Sequence, residues 1–322
     1  MAIDLTRVKD GLTPDVWNKY FDEYTAELSD FRQSGILESL PDLKIPGEGV
    51  TVNMPFWEDI SGDDEVWSSG HETHPDKIAA KKEVAAILTR MKSYGAEDLV
   101  KLFTGSDPIQ SIIRKFARYW VRRDQVTLLS IMKGIFGSAL QDNLLDESGT
   151  PISDTMMVDA FGVLGDASKK FGAVVMHSAV RDDLFKKQLI SVKPTEPGTN
   201  AKQEFERFLG RRVIVDDGTP FEVAGTAPNE YKIYTTYLFG TGSIGYAEGT
   251  PENAVEFVRE GFKSQTSIIN RRQLIMHPRG LAWVGKAVKD TPSNDELATA
   301  ANWERVFELK NIPLGALKHR IG

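Results

Sequence analysis

Apolar residues recur at helical spacing through one stretch of the chain. They are Ile109, Ile112, Ile113, Phe116 and Trp120, then Leu128, Ile131, Met132, Ile135, Phe136, Ala139 and Leu140. The pattern predicts a single helix from Ser106 to about Asn143, with no proline inside it. Asp107 is a natural N-cap, and Pro108 gives up an N–H that has no partner at the first helical position. At 1.5 Å per residue such a helix spans roughly 50 Å, far beyond the usual length of about 11–12 residues. A helix this long crosses a domain as a strut.

The pattern elsewhere is mixed. Thr13–Pro14–Asp15 starts an amphipathic helix to about Phe31, with Val16, Tyr20, Tyr24 and Leu28 on one face, widened by Trp17 and Phe21. That stripe needs a surface on the body or on a neighbouring subunit. VTVNMPFW (residues 50–57) reads as a strand, SGDDEVWSSGHETHPD as a polar, acidic tip, and KIAAKKEVAAILTRM as the return of a projecting hairpin. AEDLVKLFTG, within residues 89–105, reads as a short helix. After the long helix, ISDTMMVDAFGVLGDASKKFG predicts a second helix capped by Ser153 or Asp154, and AVVMHS a buried strand. AVRDDLFKKQLI predicts a third helix, residues 191–204 a loop, and FLGRRVIVDDG a strand.

Residues 227–249 read as a strand pair around a glycine-rich turn. PENAVEFVREG reads as helical and TSIINRRQLIMHPRGLAWVG as strand–turn–strand. A short helix over Asn294–Ala301 precedes a closing strand, WERVFELKN. The mix of scattered strands and helices is α+β.

Composition narrows the function classes. The 322 residues are 41% hydrophobic and 26% charged, enough for a large core. The net charge of -7 gives no chain-wide basic field to recruit nucleic acid. Cysteine is absent, which excludes disulfides, thiolate metal sites and cysteine nucleophiles. The first residues lack the apolar core of a signal peptide, and no run approaches the ~20 apolar residues of a membrane span.

Candidate chemistry is thin. Gly240–Gly245 matches G-x-G-x-x-G after a strand, but Tyr246-Ala247-Glu248-Gly249-Thr250-Pro251 is a poor helix start, and a dinucleotide site needs one there. A surface turn is the simpler reading. His71 and His74, with Glu72 and Asp76, sit in a polar loop and fall one residue short of the helical zinc-protease spacing. His177–Ser178 hints at nucleophilic catalysis, but no elbow motif surrounds it, and an N-cap role for Ser178 is simpler. His277 reads as a turn residue. No catalytic, cofactor or metal set emerges. Arg114, Arg118 and Arg122 follow at i, i+4 and i+8, beside Lys115 and Arg123. The stripe reads as a solvated face, as a contact for an acidic neighbour such as a partner's Asp63–Asp64–Glu65, or as a phosphate-binding face. With Trp17, Trp57, Trp67 and Trp120 scattered among projecting elements, the residues point to an oligomeric structural protein.

Four segments, in order, carry a resemblance. IIRKFARYWVRRDQVTLLSIMKGIFGSAL and VDAFGVLGDASKKFGAVVMHSAVRDDLFKKQLI are similar to segments of one group of tailed-phage major capsid proteins. FLGRRVIVDDG and RRQLIMHPRGLAWVG fit the same group. The resemblance covers roughly residues 45–322 and implies the Hong Kong 97-type coat fold. In its terms, residues 1–49 are an N-terminal arm and 50–85 an extended loop overlapping a neighbour. Residues 86–150 and 251–289 are a peripheral domain with spine helix 106–143. Residues 151–250 and 290–322 are an axial domain.

The resemblance implies a coat protein, not an enzyme, that self-assembles as hexamers and pentamers into an icosahedral shell. That shell encloses double-stranded DNA without sequence-specific binding and without a membrane. It implies a virion location, assembly in the bacterial host cytoplasm, a portal, and room for a decoration protein. The short segment ahead of the first strand leads us to expect a separate scaffolding protein and no processing. Lys77, Lys81 and Lys82 lie near the extended loop, but none aligns with the family's cross-linking chemistry, so no cross-link is expected. The subunit-contact candidates are Trp17, Tyr20, Trp57, Asp63, Asp64, Glu65, Trp67, Arg114, Arg118 and Arg122. The rival readings are an encapsulin-like nanocompartment shell, a nucleotide-dependent enzyme using residues 240–245, and a soluble adaptor or tail-associated protein.

Overall fold

The computed structural model describes residues 31, 34–40, 45, 49–58, 60, 63, 64, 66, 77–97, 108–193, 205–226 and 230–322. Its frame is one long helix, α1 (Pro108–Phe136), between two mixed eight-stranded sheets. Pro108 opens α1 as expected, while Asp107 lies outside the described residues. The helix is seven residues shorter at its far end than the periodicity predicts. The Gly137 N–H bonds Gly134 O, tightening the last turn, and Leu140 N–H then reaches Ile135 O. The turn lets Leu140 and Asn143 enter the core, where Asn143 Nδ2 donates to Leu314 O at 3.0 Å.

The first sheet runs β1 (Leu37–Ser39), β11 (Ile244–Gly249), β13 (Gln265–Pro278), β3 (Ala80–Glu97), β14 (Leu281–Trp283), β15 (Trp303–Arg305). Off this path, β12 (Val255–Glu260) pairs β13 and β2 (Thr51–Trp57) pairs β3. The second sheet runs β4 (Leu144–Pro151), β16 (Leu314–Arg320), β10 (Tyr231–Gly240), β5 (Phe171–Met176), β8 (Arg211–Val215), β7 (Phe205–Phe208), β6 (Ile190–Lys193), with β9 (Phe221–Ala224) on β10.

The second half of α1 joins the two sheets. Leu128, Ile131, Met132, Ile135 and Phe136 pack on Leu88, Leu274 and Met276 of the first sheet and on Val175, Tyr237 and Phe239 of the second. The opposite face of the second sheet carries α2 (Asp154–Gly162) and α3 (Ser178–Lys186) over a second core. Ser153 caps α2, its side chain accepting from Met156 N–H. The opposite face of the first sheet buries Ala85, Ile87, Ala247 and Ile275 under Leu40, Ile45, Val52 and Met54.

Several expectations need correction. Residues 89–97 are the end of β3, not helix, because each pairs with β13; residues 98–105 lie outside the described set. Val255–Glu260 is a strand whose partner is β13, and cross-strand pairing overrides its local pattern. The glycine-rich turn joins no strand pair, because β10 and β11 belong to different sheets. FLGRRVIVDDG is not one strand. Leu209 and Gly210, both at positive φ, form the two-residue turn of the β7–β8 hairpin. The C-terminal helix is only α4 (Asn294–Leu297), with a Ser293–Glu296 capping box. The strand that closes the second sheet is β16, beyond the WERVFELKN segment.

Candidate subunit-contact surface

β2 and β3 pair antiparallel, with Thr51 opposite Ala86 and Trp57 opposite Ala80. Alternation along β2 turns Val52, Met54 and Phe56 inward and Thr51, Asn53, Pro55 and Trp57 out. Phe56 meets Phe307 edge-to-face, centroids 4.6 Å apart. Trp57 is 72% exposed. Beyond it Ile60 and Val66 are exposed, as are Asp63 and Asp64. Trp17, Tyr20, Glu65, Trp67, His71, Glu72, His74 and Asp76 lie outside the described residues. No group of three or more metal-ligating side chains occurs among the described residues.

α1 separates its residues by helical angle. Phe116 and Trp120 are buried against Ile268 of β13. Trp120 Nε1 donates to Asn270 Oδ1 at 2.6 Å, so this tryptophan belongs to the core rather than to a partner surface. Arg118 and Arg122, roughly 160–200° around the helix from Trp120, are exposed together with Lys115 and Arg123. Arg114 lies within α1, with its side chain outside the described set.

One arginine of β13 is different. Arg272 is buried and reaches Asp124 of α1 at 3.2 and 3.3 Å, Glu248 of β11, and the Tyr246 hydroxyl at 3.3 Å. Its guanidinium also lies 5.4 Å from the Trp120 ring. Burial alone lowers its pKa, but Asp124, Tyr246 and Glu248 outweigh that and hold it above the ordinary arginine value. Sequence reasoning missed this residue because only the fold brings positions 124, 248 and 272 together.

Beside this cluster, between β3, α1 and β13, lies an open cleft of about 190 Å³. Leu88, Met91, Leu274 and Trp120 supply apolar lining, and Arg90 and Arg123 supply charge. Burial first, and Arg123 second, push the Arg90 guanidinium below its ordinary pKa, against a smaller opposing effect of Glu296.

The remaining sequence candidates resolve differently. The G-x-G-x-x-G segment leads into β11 at Ile244, so no helix N-terminus faces it. His177, not Ser178, is the N-cap of α3: its Nδ1 accepts from Ala179 N–H at 3.1 Å. Ser178 Oγ at 3.4 Å and Asp217 Oδ1 at 3.7 Å approach that same nitrogen. A catalytic triad needs the nucleophile and the orienting acid on opposite nitrogens of the histidine ring, so this is a capping cluster. His277 is not in a turn. It lies in β13, 1% exposed, with Nε2 3.3 Å from Oε2 of buried Glu83. Glu83 Oε1 in turn accepts from Gly280 N–H at 2.8 Å.

Comparison with known proteins adds three kinds of likeness. Residues 126–312 match the family model Gp13-like, described as major capsid protein 13-like. The chain is 38% identical over 326 residues to the major capsid protein of Bacillus phage SPP1, covering 98% of each. The fold is similar to that in the capsid of Ralstonia phage GP4, with TM-score 0.60 and 8% identity over 93% of this chain and 91% of that one. It is also similar to that in the acidic stable capsid structure of Helicobacter pylori bacteriophage KHP30, with TM-score 0.57 and 10% identity over 89% and 87%. The encapsulin SrpI of Synechococcus elongatus matches at TM-score 0.51 and 10% identity over 98% and 91%.

Proposed function

This chain belongs to the major capsid protein 13-like family and is a major capsid protein of a tailed phage; from that premise we propose how it builds its shell. Its fold is the α+β Hong Kong 97-type coat fold. The observation that carries the reading is the 38% identity to a phage major capsid protein across nearly the whole of both chains.

The subunit assembles as hexamers and pentamers into an icosahedral shell around double-stranded DNA. The sheet holding β3, β11 and β13, with α1 as spine, is the peripheral domain, and the sheet holding β5, β10 and β16 is the axial domain. Dividing the chain by strand pairing puts β11 and β15 in the peripheral domain and β4 in the axial one. Residues 1–49 serve as the arm, and the β2–β3 hairpin serves as the extended loop that overlaps a neighbour. Trp57 and the exposed acids at the hairpin end support that role, because such groups gain from a partner surface. Arg114, Arg118 and Arg122 are contact residues of the spine. Trp17, Tyr20, Glu65 and Trp67 remain contact candidates of the arm and loop.

A separate scaffolding protein, a portal and a decoration protein are the further partners. The coat does not catalyse a reaction, bind DNA by sequence or cross-link through Lys77, Lys81 or Lys82. The particle forms in the bacterial host cytoplasm. Repeated heterologous contacts between copies are enough to close such a shell. Electron microscopy of the purified protein tests the reading. Shells or hexameric and pentameric capsomers are expected, and a small oligomer that stays small at high concentration refutes it. The likeness to an encapsulin sustains one alternative, a nanocompartment shell. Particles isolated from the host with enzyme cargo and no DNA would favour it.

A further inference from the structure

The cleft between β3, α1 and β13 has an unusual charge state. Arg90 is held by four uncharged oxygens: Thr89 O at 3.2 Å, Thr291 Oγ1 at 3.2 Å, Pro292 O at 2.6 Å and Asn294 Oδ1 at 3.4 Å. No carboxylate contacts it among the described residues. Arg123, across the cleft, makes no ion pair or hydrogen bond among the described residues, and its charge disfavours that of Arg90. The carboxylate in the lining, Asp124, is already committed to Arg272. Two guanidinium groups therefore share an open site whose own acid is occupied. Buried Leu88 and Leu274, with largely exposed Met91, give the same cleft an apolar lining, in a volume of about 190 Å³. An apolar cavity of about 150 Å³ accepts a benzene ring. The cleft thus fits an acidic segment that carries a bulky apolar side chain.

The chain has such a segment. Residues 58–76 carry acids and no lysine or arginine. Within them Asp63 and Asp64 are exposed between Ile60 and Val66, which are 83% and 80% exposed. The same copy cannot bring those acids to its own cleft. Trp57 is pinned opposite Ala80. Arg90 lies ten residues further along β3, roughly 33 Å away at strand rise. The seven residues from Trp57 to Asp64 span at most about 25 Å when fully extended. The donor must be another copy.

We infer that the Asp63–Asp64 segment of one copy docks into the Arg90–Arg123 cleft of a neighbouring copy, seating Ile60 or Val66 on the Leu88–Leu274 lining. The inference rests on the coat-protein reading above and names the seat of the extended loop's tip. Desolvated pairing of the two acids with the two arginines sets register between copies more than it adds affinity.

The absence of cysteine gives a clean test. Two singly substituted proteins, Asp64→Cys and Arg123→Cys, are co-assembled and oxidised. A disulfide-linked dimer is expected only in the mixture, and only in assembled material. Assembled particles without that cross-link overturn the inference, whatever else fills the cleft. In parallel, Arg123→Glu is expected to lower particle yield at least tenfold while the subunit stays folded by circular dichroism. Asp63→Arg/Asp64→Arg in the same chain is expected to restore it. Normal particles from Arg123→Glu alone, or rescue by the same pair of an Arg118→Glu/Arg122→Glu variant instead, also overturn it. Failure of the unsubstituted protein to assemble counts against the coat-protein reading itself.

Discussion

Arg272 of β13 grips Asp124 of α1 through one guanidinium nitrogen, 3.2 and 3.3 Å from its two carboxylate oxygens, with the guanidinium over the Trp120 ring. This contact fixes how the spine helix lies on the first sheet, because a buried charge tolerates little displacement from its partner. Replacing Arg272 by Met leaves Asp124 and Glu248 without their shared cation. Both are partly exposed, which places the loss near the lower end of the usual range, about 3 kcal/mol. Urea unfolding of the unassembled subunit measures it, and a loss below 1 kcal/mol would mean that water already screens the pair.

A proline at Thr127 removes a hydrogen bond in the middle of α1 and clashes with the preceding turn, costing about 3 kcal/mol or more. Thr127 is buried, and its hydroxyl contacts Asn294 Oδ1 at 3.3 Å, so the break falls where α1 meets the segment opening α4. Assembly is expected to be abolished. Normal particles by electron microscopy would argue that α1 does not act as one strut.

Gly134 lies where α1 crosses α4 and β15. A Cβ there would stand 2.2 Å from Leu297 O and 2.8 Å from Trp303 Nε1, atoms already hydrogen-bonded to each other at 2.8 Å. Gly134→Ala gains helix propensity, but the overpacking outweighs it, and a net loss of about 2 kcal/mol is expected. A rise in melting temperature would show that α4 yields easily.

His319 is buried, with Nε2 2.8 Å from Thr236 Oγ1, and burial lowers its pKa to about 4. The unfolded chain protonates this histidine near pH 6.5, while the native state resists down to about 4. The unfolded state thus binds more protons between those values, and native stability falls as pH drops through that window. The contribution is about 3 kcal/mol in full. His319→Gln is expected to flatten the unfolding free energy between pH 6.5 and 4. An unchanged slope would assign the acid sensitivity to other groups.

Removing residues 60–74 takes away the end of a hairpin whose described residues at that end are solvent-exposed. The subunit is expected to fold, with unchanged circular dichroism, and to fail in assembly. Loss of folding would instead put that segment in the core.

The parts of this fold legible in sequence are those governed by local rules. Pro108 and a period of 3.6 mark α1, Ser153 marks the start of α2, and the segment VTVNMPFW reads as the strand β2. The misread parts are those in which a distant partner decides. Val255–Glu260 is a strand because β13 offers it an edge. His277 is a core residue because Glu83, far away in sequence, lies beside it. The acidic tip and the arginines of α1 were visible as separate runs of charge. Arg90 carries no local signal, because only the packing of α1 on the sheet that holds β3 brings it beside Arg123.

By itself, then, the sequence determined the spine helix, the strand β2, the α+β mix and the family, since each depends on neighbouring residues or on ordered segments. The tertiary structure alone decided which strands share a sheet, that Gly240 and Ile244 part into different sheets, and that residues 90, 123, 124 and 272 converge. The physical reason is that strand pairing and buried charge are set by partners far apart in the chain, whose meeting no local period encodes.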